Sequence, residues 1–262
     1  MMICNAQSTL DVGIFNLSIS DKSTALDDKK LDSLCKVLRE YDILAVQRFN
    51  TSKRNLSDAI NKNQMGNYRS LSKKNYLYIY NTKKVSHIPK VETSDTNSLS
   101  ISTISLQTGL FYDVKNKIER DPFLAIFKTN DGSYLTFLNI HVKSKNAYSE
   151  IKESLRGMGE LYKNHEKHDA FKNIMLLGAL SGDCEYITPT HKYYLQMDFP
   201  LWHWVLDDKY DTTVEGKNCT YDNAIASADL VARIKGTGVD KRAVAKSLSD
   251  HYPVYFNIKL SQ

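Results

Sequence analysis

No stretch of this sequence holds the roughly 18 consecutive apolar residues of a membrane-spanning helix, so no span is expected. The apolar core of a signal peptide is also missing, because Met1-Met2-Ile3-Cys4 is too short to contain one. There are four cysteines, Cys4, Cys35, Cys184 and Cys219, and none forms a Cys-x-x-Cys pair, which excludes the usual zinc-site spacings. No linker, internal repeat or low-complexity tract divides residues 1–262, and a single domain is expected. An extreme charge is lacking too. The formal net charge of +5 is compatible with a polyanionic partner without requiring one.

The composition that remains is that of a soluble globular protein, 42% hydrophobic and 25% charged, with enough residues for a sizeable core. Strand and helix signals alternate. Residues 12–19 form a short β run. Leu31, Leu34, Cys35 and Leu38 recur at helical spacing, and residues 43–47 and 76–80 read as strands. Residues 83–112 are Ser/Thr-rich and predict loops with one short strand. Residues 123–129 and 134–141 predict a hairpin around Asn130-Asp131-Gly132. Residues 150–165 predict an amphipathic helix with Ile151, Leu155, Met158, Leu161 and Tyr162 on one face. Residues 174–178 read as a buried strand, and the last third as mostly strands with loops. The pattern is that of an α/β chain with two sheets inside and helices outside. Asn16, Asn50, Asn55 and Asn218 fit the N-glycosylation pattern, which is common by chance.

Several segments stand in a recognisable order: Ile14-Phe15-Asn16, residues 41–47, Arg120-Asp121-Pro122-Phe123, Ile140-His141, Cys184-Glu185-Tyr186, Asp211-Thr212-Thr213, residues 218–222 and residues 249–254. In these the chain resembles the deoxyribonuclease I family, within the endonuclease/exonuclease/phosphatase superfamily. The resemblance covers nearly the whole chain, and Asn-Cys-x-Tyr-Asp222 and Ser249-Asp-His-Tyr-Pro253 are specific to that branch. It implies a four-layer α/β sandwich, two packed central sheets flanked by helices. It also implies a disulfide between Cys184 and Cys219 and hence an oxidising, secreted setting, with any leader not present in this chain. Cys35 is expected as a buried cysteine on a helix face, although pairing with Cys4 is the alternative.

Phosphodiester hydrolysis needs a nucleophilic water, a base, an acid for the leaving oxygen and positive charge on the phosphoryl oxygens. The resemblance assigns the proton work to His141 and His251, with Asp222 orienting the second. It matches Asn16 to an active-site amide, Arg120 to a substrate-contacting arginine and Asp250 to a metal-site or phosphate-site acid, which places all three in the phosphate and DNA site. The other half of the family pattern is altered. Its metal-binding Glu after the second strand is Arg48 here, and its Gly-Asp-Phe-Asn segment reads Gly178-Ala179-Leu180-Ser181. Its Glu that orients the first histidine falls at Lys74. By this count the pocket gains about five units of positive charge, which opposes a divalent cation that needs hard oxygen ligands.

Three readings follow. In the first, a DNA- or protein-binding pseudonuclease with no cofactor, a positive groove of Arg48, Arg120 and Ser181 still attracts phosphate. The second is an active, weakly cutting endodeoxyribonuclease using His141 and His251, with Mg²⁺ and Ca²⁺; a variant of it has Arg48 clamping the phosphate in place of metal. The third uses only the scaffold for interaction. Actin binding by the family's strand mode is not expected, because residues 67–72 lack its paired valines and its acid. Trp202-His203-Trp204 is expected to pack in the core, and Lys143 and Lys145 follow His141 closely enough to meet a DNA backbone.

Overall fold

Runs with little polar alternation need cover on both faces, and such strands pair in the middle of sheets. β1 (Thr9–Asn16) and β2 (Ile43–Gln47) meet this condition. They pair in parallel, with Val12 opposite Ile43 and Asn16 opposite Gln47, and all of β2 is buried. This computed structural model describes residues 9–17, 28–49, 60, 65–95, 102–111, 117–241 and 248–260. Cys4, Asn50 and Asn55 lie outside the described residues.

The first sheet has six strands in the order β14-β15-β1-β2-β4-β3, where β3 is Tyr68–Lys73, β4 Tyr76–Asn81, β14 Ile234–Val239 and β15 Val254–Lys259. The second has seven. Its path is β12-β13-β11-β10-β9-β5, with β8 paired to β9. These are β5 Val85–Ile88, β8 Gly109–Leu110, β9 Phe123–Thr129, β10 Tyr134–His141, β11 Ile174–Ala179, β12 Trp202–Trp204 and β13 Asp222–Ser227.

The two sheets face each other across a core to which Ile14, Ala45, Tyr78, Phe127, Phe137 and Leu177 contribute. Tyr78, fully buried, satisfies its hydroxyl by donating to the Phe123 carbonyl at 3.0 Å, and its ring packs against Phe123 and Phe127. The outer face of the first sheet is covered by α1 (Asp28–Leu38) through Leu34, Val37 and Leu38. The outer face of the second is covered by α2 (Ala147–Tyr162) through Ile151, Leu155 and Met158. The result is the helix, sheet, sheet, helix layering of a four-layer α/β sandwich.

The hairpin between β9 and β10 forms where Asn130-Asp131-Gly132 predicts it. Gly132 adopts φ 89°, and its N–H donates to the Thr129 carbonyl at 2.9 Å. Two readings of the polar and late segments need correction. Residues 83–112 hold four strands where one was expected, including the β6–β7 ribbon (Lys90–Asp95 with Ser102–Gln107). Their Ser/Thr content hides the alternation because, among the described residues, the ribbon forms a two-stranded sheet of its own and commits Val91 and Leu106 to the core. The last third also contains the helix α3 (Pro189–Asp198) and the short α4 (Ala228–Val231). α3 is amphipathic only weakly, but Thr188 and His191 form a capping box and Pro189 opens the first turn. That Thr-Pro pair was the available signal. Among the described residues Cys35 has no disulfide partner; it is half-buried beside the α1 core, and burial raises its thiol pKa. Trp202 is buried as expected, while Trp204 is half-buried beneath the Lys192 ammonium.

Candidate functional site

The site assembles at one end of the two sheets because register carries the key positions there. His141 ends β10 and pairs with Ala179 at the end of β11. Ala179 in turn pairs with Asp222 at the start of β13. In the other sheet, Asn16 ends β1 opposite Gln47, and Arg48 follows directly. Ligands of open α/β sheets gather beyond such carboxyl ends. The sheets are joined beneath the site by a buried amide pair, in which Gln47 Nε2 donates to Asn139 Oδ1 at 2.8 Å and Asn139 Nδ2 donates to the Val46 carbonyl at 3.0 Å.

His251 is held from three sides. Its Nδ1–H donates to Asp222 Oδ2 at 2.5 Å, and Asn16 Nδ2 donates to its Nε2 at 3.3 Å. Asp250 Oδ1 stands 3.6 Å from Nε2. Asp222 is fully buried and Asn16 nearly so. Ser249 is an unforeseen support. It donates to the Asn16 carbonyl at 2.6 Å and accepts from the His251 N–H at 3.1 Å, tying β1 to the His251 turn. Burial alone would lower the His251 pKa, but the Asp222 and Asp250 carboxylates outweigh it and leave the pKa above its ordinary value.

His141 lies in the opposite electrostatic setting. Arg120 Nη1 donates to its Nδ1 at 3.0 Å. The expectation for Lys74 was the place of a carboxylate that orients this ring. Instead Lys74 turns to Asp121, 3.4 Å away, and the guanidinium of Arg120 contacts the ring. Burial pushes His141 down, and the charges of Arg120, Arg48 and His251 add to this, taking it to about 3. Tyr76 links the pair, accepting from the His141 N–H at 3.2 Å and donating to the Arg120 carbonyl at 3.4 Å. The sequence reading places Tyr76 in a strand and at the end of the Lys73-Lys74-Asn75-Tyr76 segment of the resemblance, without a role for its hydroxyl.

A testable pH dependence follows for His141. Between its ordinary 6.5 and about 3, the unfolded chain binds a proton that the folded chain refuses. The stability it contributes is present above about pH 6.5 and is lost as the pH falls toward 3. Discounted for partial exposure, this amounts to on the order of 3 kcal/mol. His251, with its pKa raised, opposes this, because its contribution is full on the acid side and is lost as pH rises through its folded pKa. In His141→Gln the first effect is gone. Urea midpoints measured from about pH 7 to pH 4 should therefore fall less steeply than in the parent.

Three altered positions share a backbone feature. Arg48 (φ 56°), Lys74 (φ 49°) and Ser181 (φ 47°) are all left-handed, a conformation that costs a side-chain-bearing residue about 1 kcal/mol or more. Phe49 N–H donates to the Asn75 carbonyl at 2.9 Å, which stitches the first two turns together. Ser181 Oγ shares a hydrogen bond with Ser144 Oγ at 3.1 Å. Gly178, at φ 144°, passes so close to the Ile140 carbonyl oxygen that a Cβ would lie 2.0 Å from it, so β10 and β11 can approach only with glycine here. Cys184 and Cys219 are disulfide-bonded, with Cα atoms 5.9 Å apart.

The donor set does not fit a divalent cation. Among the described residues no three His, Cys, Asp or Glu side chains group to hold a metal ion. Among the described residues the buried oxygens Asn16 Oδ1 and Asp222 Oδ1 are without a hydrogen-bond partner, and the nearby Arg48 guanidinium and Ala179 methyl offer no oxygen to a cation.

No protein-family model matches the chain. Full-length relatives do. Human deoxyribonuclease-1-like 1 is 23% identical over 291 residues, covering 100% of this chain and 88% of that protein. Pig (Sus scrofa) deoxyribonuclease-1 is 23% identical over 278 residues, covering 96% and 92%. Over nearly its whole length the chain is similar to proteins of the deoxyribonuclease I family. The superfamily fold agrees. A D. rerio TDP2 structure complexed with single strand DNA product superposes with a TM-score of 0.62 at 13% identity, covering 97% of this chain and 100% of that one. The Neisseria meningitidis 3'-5' exonuclease NExo gives 0.61 at 14%, covering 96% and 100%. Within this deoxyribonuclease I-like frame, the structure brings His141, His251, Asp222, Asn16, Arg120 and Asp250 to one end of the sheets, with Arg48 among them. It turns Lys74 aside. Glu150 is the other residue missed. Buried on α2, it accepts from the Lys143 N–H at 3.2 Å and from the Glu119 N–H, so it spans the segments beside His141 and Arg120.

Proposed function

We propose that this chain, a single domain over residues 1–262, binds the phosphate backbone of DNA at the His141–His251 end of its sheets and does not hydrolyse it by the metal-dependent route. Arg48 carries this reading. Its guanidinium follows β2 where the family pattern has a metal-binding acid, and its charge opposes protonation of both histidines, although the Asp222 and Asp250 carboxylates keep His251 above its ordinary pKa. A permanently charged, bidentate donor whose charge is felt by both imidazoles attracts a phosphate and repels a divalent cation. Arg120 adds a second guanidinium beside His141. The curated relatives are named for deoxyribonuclease activity, and one structure of the same fold holds a DNA product, which supports DNA as the polyanion. The disulfide supports a secreted setting.

One observation favours a second reading. The His251–Asp222 contact is intact at 2.5 Å, so a general base for metal-free cleavage against an Arg48-clamped phosphate is still formed.

The test pairs two assays on the purified chain. In plasmid nicking with Mg²⁺ and Ca²⁺, no cutting above a buffer control is expected. In titration with a short DNA duplex, binding should weaken steeply with salt, and Arg48→Glu should weaken it about tenfold or more. Nicking that disappears in His251→Ala would establish the second reading instead. No duplex binding even at low salt would leave only a scaffold-type interaction protein.

A further inference from the structure

We infer that Arg120 locks His141 into the neutral form with its proton on Nε2, and that this fixed N–H donor reads a phosphoryl oxygen instead of transferring protons. The ligand half of the inference rests on the phosphate-binding reading above. The tautomer half concerns the free protein and stands without it.

The argument is one of hydrogen-bond direction. A guanidinium has five N–H donors and no acceptor. Arg120 Nη1 lies 3.0 Å from His141 Nδ1, a hydrogen-bonding contact only if Nδ1 offers its lone pair. The single proton of the neutral ring then sits on Nε2. Protonating Nδ1 would set one N–H against another, beside a charge that cannot be neutralised.

The arrangement is held from both sides. The Tyr76 hydroxyl bonds the His141 N–H and the Arg120 carbonyl together. The fully buried Glu150 carboxylate accepts from the N–H groups of Lys143 and Glu119, each close in sequence to one member of the pair. His251 is built the other way round. Its Nδ1–H goes to Asp222, which leaves Nε2 as an acceptor. That acceptor is already engaged by Asn16 Nδ2, so the His141 Nε2–H is the donor that an oxygen of a phosphate diester can use without any proton transfer. Arg120 acts here as a positioning residue, working through the ring it orients.

The experiment is nitrogen-15 NMR of the full chain with labelled histidine, at neutral pH. His141 is expected to show protonated Nε2 and bare Nδ1, and a proton on Nδ1 would overturn the inference. In Arg120→Met the preference should collapse to a mixture of tautomers, and an unchanged pattern would remove Arg120 from the role. For the ligand half, His141→Ala should weaken binding of a short DNA duplex about tenfold, and His141→Gln, which keeps a side-chain N–H, should recover most of that loss. Equal weakening in both variants would show that the donor is not what the duplex uses. Bare Nδ1 in a chain that binds no DNA would uphold the lock and overturn the phosphate reading, so the two failures are distinguishable.

Discussion

The fourfold reversal Arg48→Glu, Lys74→Glu, Ala179→Asp and Ser181→Asn should bind Mg²⁺ or Ca²⁺ and nick plasmid DNA at least about 10²-fold faster than the parent. The expectation rests on what the site has kept. Among the described residues Asn16 Oδ1 and Asp222 Oδ1 are buried acceptors without a partner, and the His251–Asp222 contact is formed. Arg48, Lys74 and Ser181 sit in left-handed turns whose backbone is already paid for by the fold around them. Ala179 lies in register between His141 and Asp222, so a carboxylate there enters the row that holds both. Removing the Arg48 charge should matter most, because it acts on both histidines. Lys74→Glu should contribute least, because Lys74 is turned toward Asp121 and the new acid would face a like charge. Calorimetric titration with each cation and conversion of supercoiled plasmid read the two effects. A folded reversal variant that binds neither cation would show that these four positions do not form the lost metal site.

Breaking the disulfide should be the largest single loss of stability. Cys184 and Cys219 are 35 residues apart in sequence, and a loop of that length restrains the unfolded chain by about 4 kcal/mol in the chain-entropy model. In the folded state the bridge anchors the segment that backs His251. Thr212 N–H donates to the Cys219 carbonyl at 3.1 Å, Tyr252 N–H to the Thr212 carbonyl at 2.9 Å, and Val214 N–H to the Asp250 carbonyl at 2.9 Å. Thr213 forms an isolated bridge with His251 itself. A Cys184→Ser/Cys219→Ser double variant should therefore unfold at a markedly lower denaturant midpoint, with a slope equal to or steeper than the parent's because the unlinked chain exposes more surface. It should also lose protection of the His251 amide in hydrogen exchange before the β10 amides. An unfolding free energy within about 1 kcal/mol of the parent's would show that the loop is held by its hydrogen bonds alone.

Much of the frame was legible because apolar periodicity reports burial directly. Residues 43–47 are β2 as read, and residues 123–141 are the β9–β10 hairpin around Gly132. The α2 core face is the one that Ile151, Leu155 and Met158 mark, although the helix begins three residues earlier, at Ala147. The β6–β7 ribbon and α3 were not legible, since one sets Val91 and Leu106 of the core among Ser and Thr residues and the other shows its start only in a cap.

At the site the division has a different cause. Residue identity alone carried the expectation that the histidine pair and Asp222 stand in family order and that Arg48, Ala179 and Ser181 replace groups suited to metal, because charge and donor chemistry belong to the side chain wherever it is placed. Only the tertiary structure decided which charge faces which ring. Lys74 goes to Asp121 and Arg120 goes to His141, although both cations precede His141 in sequence. That choice is made by strand register, the left-handed turns and the buried hydroxyl and carboxylate of Tyr76 and Glu150. These set distances of a few ångströms between residues far apart in the chain, and electrostatic and hydrogen-bond energies depend on those distances and directions.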